Sequence, residues 1–539
     1  MKPPTLLSLF TTPLLATAQT ILNKTVPPND ILESFVSYSI EFSSFPDYAG
    51  NKSHPNTFSL NLLANLPQTP YIRVGGNTQD YALFNASLPF ALNGTFNLSR
   101  SSDYPTTIFI GPSFFESYTT WPSVKFTHGF NLGLGANNSA GWQTLLDTVP
   151  LACKALGNNL HLWTYGNEPD LFSTSAQGPV RPASWNESTY VWQWHNGTST
   201  ILSLVAQHCP ELSGIGFMAP SHAGVGNRLK APAVWAAGFN RNKTVQFFST
   251  HNYISGATSP GVTLQGTLMN HTVTRRSVDA HVVEYNSILR QDPSAPPMVF
   301  GEANSLYNQG RPGLSNTFGA ALWGVDFHLY AASVGFKRVY MHQGSNYRYA
   351  AWQPLTTRLT TIGTKPPYYG SIAVAAALGS SSSPATVVHI PLSTEKREAA
   401  YGVYTNSGSV LVRIMVVNMR SYNTTLDGAG LVPLPDLPTR GSVNYTFSLT
   451  GSNYRTAKIQ RLWANGSDAI TGVTWDGWSY NYELDQGRPA RLKNVTNVDE
   501  RVEVVNGSVT VAVADSSAAL LTFEWLLGKE KTQCRKAGQ

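Results

Sequence analysis

Eight short apolar runs punctuate the first 380 residues of this 539-residue chain, and longer segments, several of them helical in pattern, separate one run from the next. They fall at 35–42, 71–76, 124–130 or 107–111, 160–165, 215–220, 245–251, 297–302 and 338–343. Strand, helix and strand in succession build a parallel pair, because parallel strands need a long crossover. Eight such units close on themselves, so the expected fold is α/β, a (β/α)8 barrel. Helical spacing is clearest at 141–156 and 318–334, and a last helix at 369–378 would complete the outer ring. The runs 107–111 and 124–130 compete for third place, and their patterns alone do not separate them.

Beyond 380 the pattern changes. Ser380-Ser381-Ser382-Ser383-Pro384 is a turn-rich seam. After it come short alternating runs at 387–390, 400–404, 410–417, 442–447, 502–505 and 519–523, with no helical spacing between them. That is the signature of an antiparallel β-sandwich. The expected domains are therefore a barrel over 19–380, a sandwich over 381–527 and a polar tail over 528–539. The sandwich is expected to cover one side of the barrel.

Composition narrows the function. With 42% hydrophobic and 13% charged residues the chain is globular rather than disordered. Its net charge of +6 is spread without Lys/Arg blocks, which leaves a nucleic-acid role unsupported. Lys2, an apolar run over 6–15 and Ala16-Thr17-Ala18 form a signal peptide over 1–18, with cleavage expected after Ala18. About fifteen Asn-x-Ser/Thr sequons follow, among them Asn51, Asn85, Asn93, Asn97 and Asn242, so a secreted N-glycosylated protein is expected. No run reaches membrane-spanning length, so no anchor is expected; nor is a partner chain, so a monomer is expected. Cys153 and Cys209 could form a bridge or remain two buried thiols, while Cys534 lies in the tail.

Two carboxylates carry the chemistry. Glu168 follows the fourth run as Asn167-Glu168-Pro169, and Glu302 ends the seventh as Gly301-Glu302-Ala303. Strands four and seven lie across a barrel, so acids at their C-terminal ends face each other over the mouth. Glycosidic cleavage needs such a pair, one carboxyl protonating the leaving oxygen and the other meeting the electron-poor carbon. Asn167 could read a sugar hydroxyl. His251 and Tyr253, after the sixth run, could orient Glu302 and lower its pKa, although a buried histidine is as often structural. Glu168 must instead stay protonated. The two-carboxylate mechanism needs no metal or organic cofactor.

The wider wording is more specific. Thr164-Tyr165-Gly166-Asn167-Glu168-Pro169-Asp170, Gly301-Glu302-Ala303-Asn304-Ser305-Leu306-Tyr307-Asn308 and Met341-His342-Gln343-Gly344 through Tyr347 resemble glycoside hydrolase family 79, which holds β-glucuronidases and heparanase. The resemblance implies Glu168 as acid/base and Glu302 as nucleophile. It also implies Glu41 on sugar hydroxyls with Asp80 nearby, Tyr307 and Tyr347 around the glucuronate carboxylate, and Gly344 and Ser345 cradling that carboxylate with their backbone amides. The run Asn308-Gln309-Gly310 departs from heparanase, and basic clusters for a sulfated polymer are missing. The expected activity is thus a retaining exo-β-glucuronidase that releases glucuronic or 4-O-methylglucuronic acid from glycans or glucuronides. An endo-acting heparanase-like enzyme or another barrel glycosidase is the nearer alternative, and a non-catalytic sugar-binding protein the distant one.

Overall fold

The computed structural model describes residues 20–22, 25–175, 179–380, 384–392, 396–449, 453–493, 495 and 497–525. The expected signal peptide, its cleavage site, the centre of the 380–384 seam and the 528–539 tail with Cys534 lie outside these residues. Eight strands form a closed barrel: β1 (Val36–Glu41), β2 (Ile72–Gly75), β3 (Phe126–Phe130), β4 (Leu160–Tyr165), β5 (Phe217–His222), β6 (Val245–Gly256), β7 (Met298–Tyr307) and β8 (Val339–Gln343). Every neighbouring pair is parallel and consecutive in sequence, and β8 returns to β1. The contest for third place is decided by burial. Phe126–Phe130 is buried at every position, as a strand covered on both faces must be. Thr107–Ile110 alternates exposed and buried, and joins Ala82–Phe84 and Leu92–Thr95 in a separate small sheet inserted between β2 and β3.

β6 and β7 run past their expected ends, so Glu302 stands inside β7 rather than at its terminus. The two strands pair Thr250 with Phe300 but His251 with Glu302, leaving Gly301 as the extra residue of a bulge. Bulges re-aim the side chains that follow them. Gly301 must be glycine, since a Cβ there would meet Ser249 Oγ at 2.2 Å.

The helix Phe318–Ser333 is buried over its whole length up to Ala332, which a surface helix of a barrel is not. The C-terminal sheets cover it. Along Glu398–Thr405, Val410–Asn418 and Ser517–Trp525 alternate residues face opposite ways. Ala400, Ile414, Val416, Ala519 and Leu521 pack inside the sandwich against Val443, Phe447, Val509 and Val511. Ala399, Tyr401, Met415, Val417, Ala518 and Leu520 join the core that continues into the barrel helices. One sheet therefore has two apolar faces. Two long strands escaped the sequence reading, Tyr454–Trp463 and Ser508–Ala514. The expected boundary after 380 also needs correction at the other end of the chain. Thr20–Ile21 pairs with Ser442–Ser448, and Leu22 and Val26 lie in the sandwich core. A two-residue strand has no period to detect. Among the described residues no helix is long and apolar enough to cross a membrane.

Cys153, in the helix Ser139–Leu156, and Cys209, which caps Glu187–His208, form a disulfide across 56 residues. Closing a loop of that length in the unfolded chain is worth up to about 4 kcal/mol. The Cys153→Ser/Cys209→Ser double variant is expected to unfold at clearly lower denaturant, with a loss of about 2–4 kcal/mol. An unchanged guanidinium midpoint would remove the bridge from the stability account.

Candidate active site

The mouth of the barrel gathers its acids from opposite strands. After β4, Gly166 turns the chain at φ 87°, where a Cβ would meet the Leu132 side chain at 2.7 Å. Glu168 itself is left-handed at φ 51°, a conformation costly to a residue with a Cβ, and its N–H donates to Ser221 O at 3.0 Å. Pro169 then starts a short 3-10 turn. This turn carries the Glu168 carboxyl over the barrel axis. The Glu168, Glu302 and His251 ligand atoms all lie within 4.8 Å of one another.

The two acids sit in unlike surroundings. Glu302 Oε2 accepts from Arg73 Nη1 at 2.6 Å, and Oε1 accepts from the Tyr253 hydroxyl at 2.7 Å. Burial alone would raise this carboxyl, but His342, His251, Arg73 and the Tyr253 hydroxyl outweigh it and hold its pKa at about 2. Burial also holds the His251 pKa down at about 3, with the Glu302 charge opposing it. Glu168 moves the other way. Burial raises its pKa well above the usual carboxylate value, the negative charges of Glu302 and Asp170 add to that, and Arg73 opposes them. Its Oε1 lies 2.9 Å from His251 Nδ1. One site thus holds an ionised and a protonated carboxyl side by side, the division of labour that acid-and-nucleophile chemistry requires. Two carboxylates and an imidazole would also suit a cation, but the Arg73 guanidinium already supplies Glu302 with its positive charge.

The remaining expected residues divide into those in contact with this pair and those committed elsewhere. Asn167 accepts from Arg73 Nη2 at 2.7 Å, beside the acids. Glu41 ends β1 buried, held by the Thr78 hydroxyl at 2.6 Å, the Tyr347 hydroxyl at 3.1 Å and His342 Nε2 at 3.3 Å. Asp80 is a brace. Its carboxylate takes the N–H groups of Leu132, Gly133 and Asn167 at 2.8, 2.9 and 2.6 Å, tying the β3 and β4 loops together, while burial lifts its pKa to about 6. The Gly344-Ser345 cradle is partly spent, since Ser345 N–H donates to Ser44 Oγ and its hydroxyl to Asp47. Tyr307 lies on the rim, 46% exposed, its ring over Gly256 and its hydroxyl 3.3 Å from Ser259 Oγ.

Sequence reasoning passed over four residues. Arg73 is fully buried in β2, and its one visible signal is a lone cation inside the apolar run Ile72-Arg73-Val74. His342 bridges the acids, Nδ1 lying 3.5 Å from Glu302 and Nε2 3.3 Å from Glu41. Tyr104 and Tyr349 pack with Tyr347 and Tyr253 into a tyrosine wall. The wall is pinned by Arg348, whose guanidinium makes paired bonds of 2.8 and 2.7 Å to Asp103.

Arg73 generates a sharp expectation. Without its cation the Glu302 carboxyl rises, so the acid limb of the kcat/KM profile that reports Glu302 ionisation moves upward in Arg73→Met. Activity at neutral pH should fall about 100-fold or more, the cost of losing one preorganised charge donor. In Arg73→Lys, which keeps the charge, the limb should move less. Profiles that coincide with the wild type would deny Arg73 this role.

The C-terminal segment 400–520 matches the family model described as the glycosyl hydrolase family 79 C-terminal beta domain. A curated β-glucuronidase of Neurospora crassa is 61% identical over 94% of this chain and 96% of its own length. One from Aspergillus niger is 52% identical over 92% of this chain and 91% of its own. Among solved structures, a 4-O-α-L-rhamnosyl-β-D-glucuronidase from Fusarium oxysporum 12S shares the fold at TM-score 0.72 and 24% identity, over 94% of this chain and 100% of that one. A family 51 arabinofuranosidase from Xanthomonas axonopodis pv. citri shares it at TM-score 0.56 and 13% identity, over 94% and 99%. With both its barrel and its β-domain covered by those fungal relatives, this chain belongs to glycoside hydrolase family 79 and is a glycoside hydrolase.

Proposed function

We propose that the protein is a secreted, retaining exo-β-glucuronidase. The observation that carries the mechanism is the distance of no more than 4.8 Å between ligand oxygens of Glu168 and Glu302. Carboxyls about 5 Å apart suit double displacement, because no room is left for a water between carboxylate and sugar. In the first step Glu302 forms a bond to the anomeric carbon while the carbon–oxygen bond to the aglycone breaks. The Glu168 proton goes to the departing oxygen. In the second step Glu168, now a carboxylate, takes a proton from water, the water oxygen bonds to the anomeric carbon and Glu302 leaves. Two inversions restore the β-configuration. Arg73, Tyr253 and His342 keep Glu302 ionised, and Glu41 accepts from sugar hydroxyls.

The sugar follows from kinship with the curated fungal β-glucuronidases. Exo action is supported by the tyrosine wall. Tyr347 bonds Glu41 and packs with Tyr104 and Tyr349, and the Arg348–Asp103 pair binds two loops there into one barrier. A polymer running through that side would have to break the clamp. Secretion is supported by the 1–18 leader pattern and the density of sequons.

Hydrolysis of 4-nitrophenyl β-glucuronide should be lost in Glu302→Gln. In Glu168→Gln it should fall about 10²–10⁴-fold on substrates with poor leaving groups and less on the nitrophenyl ether, which needs little protonation. Full activity of either variant would sink the assignment. Proton NMR should detect the β-anomer first; an α-anomer as first product would refute retention. A uronic-acid polymer should lose terminal residues without a rapid drop in viscosity, whereas an early drop would favour endo cleavage.

A further inference from the structure

The small sheet inserted between β2 and β3 has one dry face and one bare one. Its strands lie in the order Ala82–Phe84, Thr107–Ile110, Leu92–Thr95. Ile108 and Ile110 are buried, and Phe84 N–H donates to Thr144 Oγ1 of the helix Ser139–Leu156, so the inner face rests on the barrel. On the outer face Phe109 is 39% exposed. Leu83 flanks it on one side in register, and Asn93 stands directly opposite it on the other. An exposed phenylalanine at the centre of a sheet face is an uncovered apolar group, and Leu92–Thr95 is also an open sheet edge, a liability for unwanted strand pairing.

Asn93 is the first residue of the sequon Asn93-Gly94-Thr95. Asn93 and Thr95 are two apart on a strand, and both are exposed on the Phe109 face. Directly opposed side chains of an antiparallel pair have Cβ atoms about 5 Å apart, the reach of a sugar linked to the amide nitrogen. Among the described residues nothing hydrogen-bonds the Asn93 side chain. By contrast, the carboxamide oxygens of Asn85 and Asn97 accept from the N–H groups of Ser87 and Ser99 within their own turns.

We infer that Asn93 carries an N-linked glycan whose first N-acetylglucosamine lies on the Phe109 ring and closes the outer face of this sheet. The linkage forms when the Asn93 amide nitrogen bonds to the anomeric carbon of a lipid-linked oligosaccharide. The bond from that carbon to the diphosphate breaks, the lipid diphosphate leaves with the electron pair, and the amide proton is released. The C–H face of the pyranose then covers the exposed ring, as apolar surfaces do when water is the alternative. The same branch blocks strand addition along Leu92–Thr95. The sheet matters to catalysis because the next loop supplies Asp103 and Tyr104 to the tyrosine wall, and the Tyr81 hydroxyl anchors that loop at Pro105 O.

This inference rests on the secretion reading, and the test separates the two. The full chain is secreted from a eukaryotic host and treated with peptide N-glycosidase in ¹⁸O-water, and peptide mass spectrometry then scores each sequon. Labelled aspartate at position 93 is expected. Labels at other sequons with none at 93 would overturn the inference and leave secretion standing, no label anywhere would likewise overturn the inference, and retention of the chain inside the host cells would overturn the secretion reading. Packing is then read by limited proteolysis within 82–110. Asn93→Gln should speed cleavage about fivefold when Phe109 is present, an ordinary contact's worth of local opening, and should change little in a Phe109→Ser background. Equal acceleration in both backgrounds would show that the glycan does not rest on Phe109.

Discussion

The Arg73–Glu302 pair, 2.6 Å apart and closed off from water, is the interaction on which the rest of the site depends. A charge buried without a partner is expensive, and removing one member of such a pair costs roughly 3–5 kcal/mol. Arg73 extends its second nitrogen to Asn167 and its first also to Ser39 at 3.0 Å. One guanidinium therefore links β1, β2, the β4 turn and β7. Its charge keeps Glu302 ionised, and an ionised Glu302 helps keep Glu168 protonated. The two carboxyls move in opposite directions because burial and the neighbouring acids raise Glu168, whereas His342, His251, Arg73 and the Tyr253 hydroxyl outweigh burial at Glu302.

The fold supplies what this arrangement needs. Parallel strands turn all their C-terminal ends to the same side, and closure brings residues 229 apart in sequence, Arg73 and Glu302, into contact. Asp80 shows how the loops are kept in place, with backbone N–H groups from two loops held by one carboxylate. The β-domain contributes from behind. Its sheet covers the helix Phe318–Ser333, which follows the Glu302 strand, and a helix sealed on all sides gives that strand little room to shift.

Much of this was legible in the chain. Eight runs of period two, separated by long connections, pointed to the barrel. Glu168 was visible in the turn after the fourth run, Glu302 next to Gly301 in the seventh, although β7 runs on past it, and Glu41 by its place closing β1. The unreadable parts have physical causes. The run 107–110 and the run 126–130 are equally strand-like, and only burial on one face or on both distinguishes them. The Gly301 bulge shifts register without altering composition. Ser345 was expected to offer its backbone amide, but the Ser44 hydroxyl that takes it belongs to another part of the barrel. Tyr307 was expected around the glucuronate carboxylate from the resemblance alone, and β7 ends at this residue, on the rim.

By itself, the sequence determined the barrel class, seven of its eight strands and the all-β character of the C-terminal half, and it singled out Glu168 and Glu302 as candidates, because periodicity and turn chemistry are local. Tertiary structure alone decided which carboxyl is raised and which lowered, which histidines burial holds down and which arginine pairs with Glu302. Those properties depend on burial and on charges a few ångströms away, and both come into being only when the barrel closes.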